Sequence, residues 1–329
     1  MFLKQTQFWF GDHMPGVKTV SIEEVALAGE YEIAVVGGGL AGLTAALFAA
    51  RCGRSTLTLI SGMVGGHLTN VDNIEDFPGF PAGIAGYELC PKLQEQAANA
   101  GAEFRMAEAQ RLEACDGGWL LATTGGDFHA GAIILACGSH PRTLGVPGED
   151  RLQGHGISHC AGCDGPLLRG GPAVVVGGGD SAFLEALTLA NFSSEVTIVH
   201  RSELSRAQQT YRRRVEDHPK IHLRPNSTVQ EIVGQDTVSA VRLRDAAGEA
   251  AERAAAGVWV YVGLDPNTAW LDDTLRLDEA GRIRTDVWLR TELPGVFAAG
   301  DVRSDSASQA ITAAGDGATA AIAAHRHLQ

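Results

Sequence analysis

Residues Tyr31–Gly42 read Tyr-Glu-Ile-Ala-Val-Val-Gly-Gly-Gly-Leu-Ala-Gly, an apolar, β-branched run followed by spaced glycines. The run Tyr31–Val36 is typical of a strand buried in a parallel sheet. The glycines Gly37, Gly39 and Gly42 have the spacing of a dinucleotide-binding turn between a strand and a helix. In such a turn the first glycine permits the tight bend, the second lets a pyrophosphate touch the backbone, and the third lets helix and strand pack closely. The N-terminus of the helix then faces the negative phosphates.

A second turn of this kind lies 140 residues later in the chain (177 − 37). A strand is predicted at Ala173–Val176, and Gly177 and Gly179 follow it in the run Gly-Gly-Gly-Asp-Ser-Ala, where alanine replaces the last glycine. A helix is predicted over Phe183–Asn191. Either turn alone is weak evidence, because glycine-rich chains match the pattern by chance.

A C-x-x-C pair, Cys160 and Cys163, lies just upstream of the second turn. A pair at this spacing can lower the pKa of one thiol, and the thiolate is the species that attacks a disulfide. Asp164 directly follows the pair, so it could serve as an acid or base, or simply as a turn residue before Gly165. Two nucleotide turns and one thiol pair, in this order, indicate a protein that passes electrons between a nucleotide cofactor and thiols.

The other cysteines are isolated, and each is expected to be a small buried hydrophobe: Cys52, Cys90, Cys115 and Cys137. A zinc site would need two further ligands near the pair; His155 and His159 are near, but no second C-x-x-C exists, so no metal is expected. His67, His155 and His159 are each more typical of structural or surface positions. His159 is the best candidate for assisting thiol deprotonation because it precedes Cys160.

Composition limits the function classes. A length of 329 residues suggests two domains, and 45% apolar residues can form a full core. The net charge of −13 argues against nucleic acid and anionic membranes as partners. No apolar run reaches the ~18 residues of a membrane span, and the first residues lack the pattern of a secretory signal. We therefore expect a cytoplasmic protein.

The chain resembles the low-molecular-weight thioredoxin reductase family of flavoproteins from Tyr31 to its C-terminus. The motifs that carry the resemblance are the two glycine turns, Gly65-Gly66-His67-Leu68, Cys160-x-x-Cys163-Asp164-Gly165, and Gly295-Val296-Phe297-Ala298-Ala299-Gly300-Asp301. The resemblance implies an α/β fold with two Rossmann-like dinucleotide-binding domains, the second inserted into the first. The expected boundaries are an N-terminal extension (1–30), a discontinuous FAD domain (31–142 and 264–329) and a pyridine-nucleotide-type domain (143–263).

The resemblance also implies roles for particular residues and a homodimer. Cys163 would lie against the flavin, Cys160 would exchange with substrate, and Asp164 would move protons. The residues expected to bind FAD are Gly37, Gly39, Gly42, Ser61, Gly66, His67, Gly300, Asp301, Gln309 and Ala310. Those expected at a pyridine nucleotide are Gly177, Gly179, Arg201 and Arg206.

Four departures from the family pattern bear on function. Ser202 replaces the second of two adjacent arginines that hold the 2′-phosphate of NADPH, and Glu203 adds a negative charge. Pro166-Leu167-Leu168 replaces the aromatic residues that dock thioredoxin. Ser308 and His67 replace an arginine and a glutamine at the flavin, and the leader is longer than usual.

Three of these departures, at the NADPH, thioredoxin and flavin contacts, resemble a smaller branch, the dithiol oxidases that form disulfides in natural products of the gliotoxin, holomycin and romidepsin kinds. The leading expectation is therefore an FAD enzyme that oxidises a small dithiol with dioxygen as acceptor. On that reading NADPH binds weakly or not at all, and thioredoxin is the less favoured partner. The alternative is an NADPH-dependent thioredoxin or disulfide reductase. A noncatalytic flavin sensor is disfavoured by the intact cysteine pair and Asp164.

Overall fold

The structure is a computed structural model that describes residues 19–21, 25–271 and 274–329. These residues form two compact units. Unit 1 contains the chain up to His140 and from Pro266 onward, and unit 2 contains Pro141–Asp265. The expected domain boundaries lie two residues away from these limits on each side.

The elements follow one another along the chain in the order given by their numbers. The strands are β1 Thr19–Val20, β2 Leu27–Val36, β3 Thr56–Ile60, β4 Glu103–Met106, β5 Ala109–Cys115, β6 Gly118–Thr123, β7 Gly126–Leu135, β8 Ser139–Pro141, β9 Ile157–Ser158, β10 Ala173–Val176, β11 Val196–Val199, β12 Ile221–Arg224, β13 Ser227–Gly234, β14 Val238–Asp245, β15 Ala250–Ala254, β16 Gly257–Val260, β17 Leu264–Pro266 and β18 Val296–Ala298. The helices are α1 Leu40–Arg51, α2 Gly86–Asn99, α3 Glu149–Leu152, α4 Ala161–Asp164, α5 Asp180–Leu189, α6 Gln209–Glu216 and α7 Ala310–His327. No described helix is both long enough and apolar enough to cross a membrane.

Unit 1 is built on an eight-stranded sheet in the order β1-β5-β6-β7-β2-β3-β4, with β18 also paired to β7. The strands β18, β7, β2, β3 and β4 pair in parallel, and β5-β6-β7 form an antiparallel meander. Parallel pairing requires crossover connections, which here include the helices α1 and α2. The β2–α1 turn therefore lies at the carboxyl end of a central strand, the edge where open α/β sheets bind ligands.

Successive side chains of β2 point to opposite faces of the unit 1 sheet. Both faces are buried, each in its own apolar cluster. Ile33 and Val35 pack with the small residues of α1 and α7. The alternate residues Ala34 and Val36 pack in a second cluster with Trp119. A Cβ on Gly317 of α7 would lie 2.1 Å from the Ala41 carbonyl oxygen, so glycine is what allows the two helices to pack closely.

Unit 2 has its own core. Its five-stranded sheet runs β12-β11-β10-β16-β9, with all pairs parallel, and β13-β14-β15 form a separate antiparallel sheet. Val175 and Ile198 pack with Phe183 of α5 on one face. Val174 and Val258 pack with residues of β13 and β14 on the other face. The second glycine turn follows β10 and the C-x-x-C pair follows β9, so both lie at the carboxyl edge of this sheet.

The α/β class with Rossmann-type units is confirmed, and the strand predicted at Ala173–Val176 has those bounds. The other two elements predicted above begin earlier than expected. Strand β2 starts at Leu27, because residues 27–30 pair with β7. The sequence did not predict this part of the strand, since its residues alternate in exposure and lack the apolar run typical of a buried strand. Helix α5 starts at Asp180, directly after the glycines. Predictions about residues 1–18 and 22–24 lie outside the described residues.

Candidate active site

The first glycine turn has the backbone of a phosphate cradle. Gly37 has a positive φ of 118°, and a Cβ there would lie 2.1 Å from the carbonyl oxygen of Ala136. A Cβ on Gly42 would lie 1.9 Å from the Gly37 carbonyl oxygen. Gly39 is different: a Cβ there would meet no described atom within 4 Å. Gly37 and Gly42 are therefore required by packing, whereas Gly39 leaves space at the start of α1.

A second pair of glycines lies beside this space. The Gly65 N–H donates to the Gly38 carbonyl (2.7 Å), and a Cβ on Gly66 would have the Gly39 Cα as its nearest described neighbour, at 3.8 Å. The cradle is thus lined by backbone at the N-terminus of a buried helix, where N–H groups lack intrahelical partners. This arrangement fits the pyrophosphate of a dinucleotide such as FAD.

The segment after β18 returns to the same helix. Gly300 has a φ of 78°, and its N–H donates to the Asp316 carboxylate (3.0 Å), which Arg303 holds by an ion pair (2.6 Å). A Cβ on Gly300 would lie 2.9 Å from the Ala41 Cβ, so this turn packs against α1. Burial raises the pKa of the neighbouring Asp301 carboxyl.

The other predicted flavin contacts also belong to unit 1. His67 is exposed and donates from Nε2 to the carbonyl of Ser139 (2.6 Å), and a positive charge on its ring would lower the pKa of Asp301. Ser61 is exposed at the end of β3. Gln309 is the N-cap of α7, and Ala310 is its first residue.

The thiol pair forms a disulfide between Cys160 and Cys163 in unit 2. Cys160 is the N-cap of the short helix α4, and its Sγ accepts the N–H of Cys163 (3.1 Å). Cys160 is only 8% exposed, whereas Cys163 is exposed. In this conformation the more accessible cysteine is Cys163, the reverse of what the expected exchange role of Cys160 suggests.

The residues next to the pair are tied to the strands of unit 2. The hydroxyl of Ser158 donates to the Asp164 carboxylate and accepts the N–H of Cys160 (3.1 Å). The ring of His159 donates from Nδ1 to the carbonyl of Val260 (2.8 Å). Asp164 thus lies within the hydrogen-bond network of the turn, and His159 is anchored to β16.

Two residues of this region were missed by the sequence analysis. Glu185 of α5 is 8% exposed, and its carboxylate accepts the N–H of Ala161 (2.7 Å) and the hydroxyl of Tyr261 (3.1 Å). Burial, and next the charge of Glu185, raise the pKa of Tyr261. A signal was present, because Glu185 lies on the helix face that buries Ala182 and Leu189, where an acidic residue is rare without a partner.

The second glycine turn repeats the geometry of the first. Gly177 has a φ of 149°, and a Cβ there would lie 2.3 Å from the Tyr261 carbonyl oxygen. A Cβ on Gly179, at the N-cap of α5, would meet no described atom within 4 Å. The backbone N–H of Arg206 donates to the Gly178 carbonyl (2.7 Å), so the loop after β11 closes over the turn. Arg201 and Arg206 are both exposed.

The isolated cysteines differ from the expectation in part. Cys90 and Cys115 are buried as expected, and burial raises their thiol pKa to about 11 and about 12. Cys52 and Cys137 are only partly buried as residues, because Cys52 caps the end of α1 and Cys137 lies in the loop after β7. Burial nevertheless raises the pKa of the Cys137 thiol to about 12.

The predicted site residues therefore fall into two groups. Unit 1 gathers the first glycine turn, the Gly65–Gly66 pair and the Gly300–Asp301 turn around α1. Unit 2 gathers the cysteine pair, Asp164 and the second glycine turn at one sheet edge. Each group contains an open position at the N-terminus of a helix, and only the second contains the disulfide.

Comparison with known proteins agrees with this arrangement. Residues 31–317 match the family model described as pyridine nucleotide-disulphide oxidoreductase. The chain is similar to the thioredoxin reductase of Treponema pallidum, with 39% identity over 91% of this chain and 97% of that protein. It is equally similar to the thioredoxin reductase of Bacillus subtilis, with 39% identity over 91% and 95% of the two chains.

A solved structure extends the likeness to three dimensions. The thioredoxin reductase of Lactococcus lactis superposes with a TM-score of 0.88 and 39% identity, covering 91% of this chain and 99% of that one. The chain therefore belongs to the pyridine nucleotide-disulphide oxidoreductase family, as an FAD-dependent enzyme of its low-molecular-weight thioredoxin reductase-like group.

Proposed function

We propose that this protein is a pyridine-nucleotide-dependent reductase of a protein disulfide, with a thioredoxin as the partner. The observation that carries the proposal is the Cys160–Cys163 disulfide at the carboxyl edge of the unit 2 sheet, beside a second open glycine turn. A thiol pair and a nucleotide turn on one unit, with a separate cradle on the other, provide the parts of a chain that carries electrons from a nucleotide to a disulfide.

The relatives support the reductase ahead of the dithiol oxidase that the sequence analysis favoured. Those compared above are named thioredoxin reductase and align over nearly their whole length. The oxidase expectation rested on departures at a few positions, and similarity over nine-tenths of the chain outweighs them. The homodimer and the cytoplasmic location remain predictions.

In the proposed reaction, the residues of each unit have distinct tasks. The turn at Gly37–Gly42 and the N–H groups at the start of α1 would bind the pyrophosphate of FAD. Bound FAD would supply the two-electron chemistry that links a pyridine nucleotide to the disulfide. Gly177 and Gly179 would form the corresponding turn for the nucleotide.

The cysteines would perform thiol–disulfide exchange. Once the pair is reduced, the thiolate of Cys160 attacks a sulfur of the partner disulfide, forming a mixed disulfide and releasing a thiolate that takes up a proton. The thiolate of Cys163 then attacks Cys160, which restores the intramolecular disulfide and releases the partner as a dithiol. Asp164, held by Ser158, is the nearest carboxylate in sequence to hold or deliver those protons.

Two observations keep a small-dithiol oxidase as the second candidate. Leu167, directly after Pro166 in the turn that follows the pair, is 71% exposed and offers an apolar, nonaromatic surface. Ser202 and Glu203 are exposed beside Arg201, which weakens an anion site for a 2′-phosphate. A small substrate and a poor nucleotide site would both suit an oxidase.

An anaerobic experiment separates the candidates. NADPH, NADH and dithiothreitol are added separately to the purified protein, and the loss of flavin absorbance is followed. The reductase requires rapid bleaching by a nucleotide, followed by turnover with thioredoxin. Bleaching by dithiol alone, with oxygen uptake in air and no turnover with thioredoxin, would favour the oxidase.

A variant tests directly whether the loop after β11 binds the 2′-phosphate of NADPH. Ser202→Arg supplies the missing cation, and a charge-assisted contact of about 1.5–3 kcal/mol should improve NADPH affinity by about one to two decades. NADH lacks the 2′-phosphate and serves as the matched control. Equal gains for both nucleotides would contradict the assignment of this loop to the phosphate.

A further inference from the structure

A buried carboxylate behind the redox turn has no task in the exchange reaction described above. Glu185 projects from α5, a helix whose other buried residues include Phe183 and Leu189. Its Oε2 accepts the N–H of Ala161, which is fully buried and directly follows Cys160. Glu185 therefore contacts the short turn that joins the two sulfurs.

Further hydrogen bonds hold the same turn. The Cys160 N–H donates to the Ser158 hydroxyl oxygen (3.1 Å), and that hydroxyl donates to Asp164. The two sulfur atoms take no part in these hydrogen bonds or in the bond from Ala161 to Glu185. The turn thus has supports that do not depend on the disulfide, and they can keep the two sulfurs close when that bond opens.

Two acidic side chains, those of Glu185 and Asp164, form hydrogen bonds at the turn. The titratable groups that face it are Glu185 from α5, Asp164 from the turn itself, Tyr261 after β16 and His159 after β9. Tyr261 remains a neutral donor to Glu185, since burial and then the carboxylate charge raise its pKa. A buried negative charge disfavours a nearby thiolate, and stabilising the reduced, thiolate form of a pair makes it a stronger oxidant.

We propose that Glu185 is a positioning residue for the redox pair, whose carboxylate holds the turn and disfavours the thiolate form of the reduced pair. Reduction then breaks the sulfur–sulfur bond, adds two electrons and takes up two protons. Because thiolates are not stabilised, the pair is a better reductant. The inference rests on the proposed function, in which this pair must reduce a partner disulfide.

The test uses the full-length protein and the variant Glu185→Gln, which keeps an acceptor for Ala161 and removes the charge. Fully reduced protein is alkylated with iodoacetamide over a range of pH, and the rate reports the thiol pKa. In parallel, the protein is equilibrated with mixtures of reduced and oxidised dithiothreitol, and the thiols are trapped and counted by mass. Neither measurement requires a nucleotide, thioredoxin or turnover.

The variant should lower the pKa of the more reactive thiol by about one unit, a tenfold change in proton affinity. At a pH above the pKa of the more reactive thiol, it should also shift the disulfide equilibrium about tenfold toward the reduced form, about 30 mV for a two-electron couple. A purely structural role would leave the pH profile in place. If the acid dissociation constant of the thiol and the disulfide equilibrium constant of Glu185→Gln both lie within twofold of those of the unchanged protein, the proposal is overturned.

Glu149 provides a matched control in the same unit. It is also a buried glutamate (4% exposed), and it accepts the N–H groups of Leu144 and Gly145 in a loop distant in sequence from the cysteines. Glu149→Gln should leave both measurements unchanged. Equal shifts in the two variants would indicate a general effect of a buried charge and overturn the assignment.

A second variant guards against an uninformative result. Glu185→Leu removes the acceptor as well as the charge, so its shift should be at least as large as that of Glu185→Gln. A smaller shift in a folded protein would contradict the proposal. If dithiothreitol can neither reduce nor re-form the disulfide, the proposed function itself is overturned. If the pair exchanges with dithiothreitol but Glu185→Gln changes neither measurement, only this inference is overturned.

Discussion

At the scale of single residues, the two sulfurs of the disulfide have different surroundings. Cys160 is buried and hydrogen-bonded through its backbone and sulfur, whereas Cys163 is exposed. Thiol–disulfide exchange depends on which sulfur an attacking group can reach. The exchange role proposed for Cys160 therefore requires a conformation in which its sulfur becomes accessible to the partner.

We expect the two serine variants of the pair to fail differently. Cys163→Ser should prevent a dithiol from bleaching the flavin, because the residue assigned to flavin contact is lost. Cys160→Ser should abolish exchange with the partner disulfide while the flavin spectrum still responds to Cys163. Anaerobic absorbance and a thioredoxin-coupled assay measure the two defects, and full activity in either variant would contradict the roles.

A second residue-scale prediction concerns pH. Burial raises the pKa of Asp301 above its unfolded value, so the folded, flavin-free protein binds the proton more tightly than the unfolded chain. The resulting penalty is absent below the unfolded pKa and grows as pH rises through the folded pKa. Asp301→Asn should therefore raise the melting temperature of the flavin-free protein at pH 7 and leave it unchanged near pH 3. An equal rise at both pH values would contradict this explanation.

At the scale of elements, the first glycine turn separates packing from binding. The backbone of Gly39 has a φ of −74°, which any residue adopts, and its Cβ position is open. The Cβ position of Gly42 is blocked by the Gly37 carbonyl oxygen at 1.9 Å. Neighbouring glycines of one motif thus have different physical reasons to be glycine.

The substitutions Gly39→Val and Gly42→Ala should accordingly behave in opposite ways. Gly39→Val should keep the melting temperature of the flavin-free protein and lose most FAD affinity, since a side chain would fill the cradle. Gly42→Ala should lower the free energy of unfolding by about 1–3 kcal/mol or more, the cost of overpacking a side chain against backbone. Calorimetry and flavin titration test the pair, and FAD binding by Gly39→Val with unchanged affinity would refute the cradle.

At the scale of the whole molecule, the chain forms two units with separate cores, one from a single segment and one from two segments. Unit 2 is a single segment with its own parallel sheet and buried clusters, whereas unit 1 is assembled from two distant segments. The strands β7 and β18 join those segments by parallel pairing, with Ile133 opposite Val296.

The fragment 141–265 should therefore fold alone and form its disulfide without flavin. Circular dichroism should show a cooperative thermal transition, and thiol counting after mild oxidation should find the pair closed. Unit 1 residues up to 140 should not fold without the segment from 266 onward, because β18 and α7 would be missing. An unfolded 141–265 fragment would show that unit 2 depends on unit 1.

The sequence determined the features that depend on local pattern. The apolar run before Gly37 predicts a strand, the glycine spacing predicts a turn, and the C-x-x-C motif predicts a thiol pair. Each prediction is accurate to within a few residues, because these structures depend on interactions between residues close in sequence. The tertiary structure decided the contacts that join distant segments. It buried Glu185 against Ala161, exposed Cys163 while burying Cys160, and extended β2 to Leu27 by pairing it with β7. Such contacts depend on which elements pack together, and no local period in the chain encodes them.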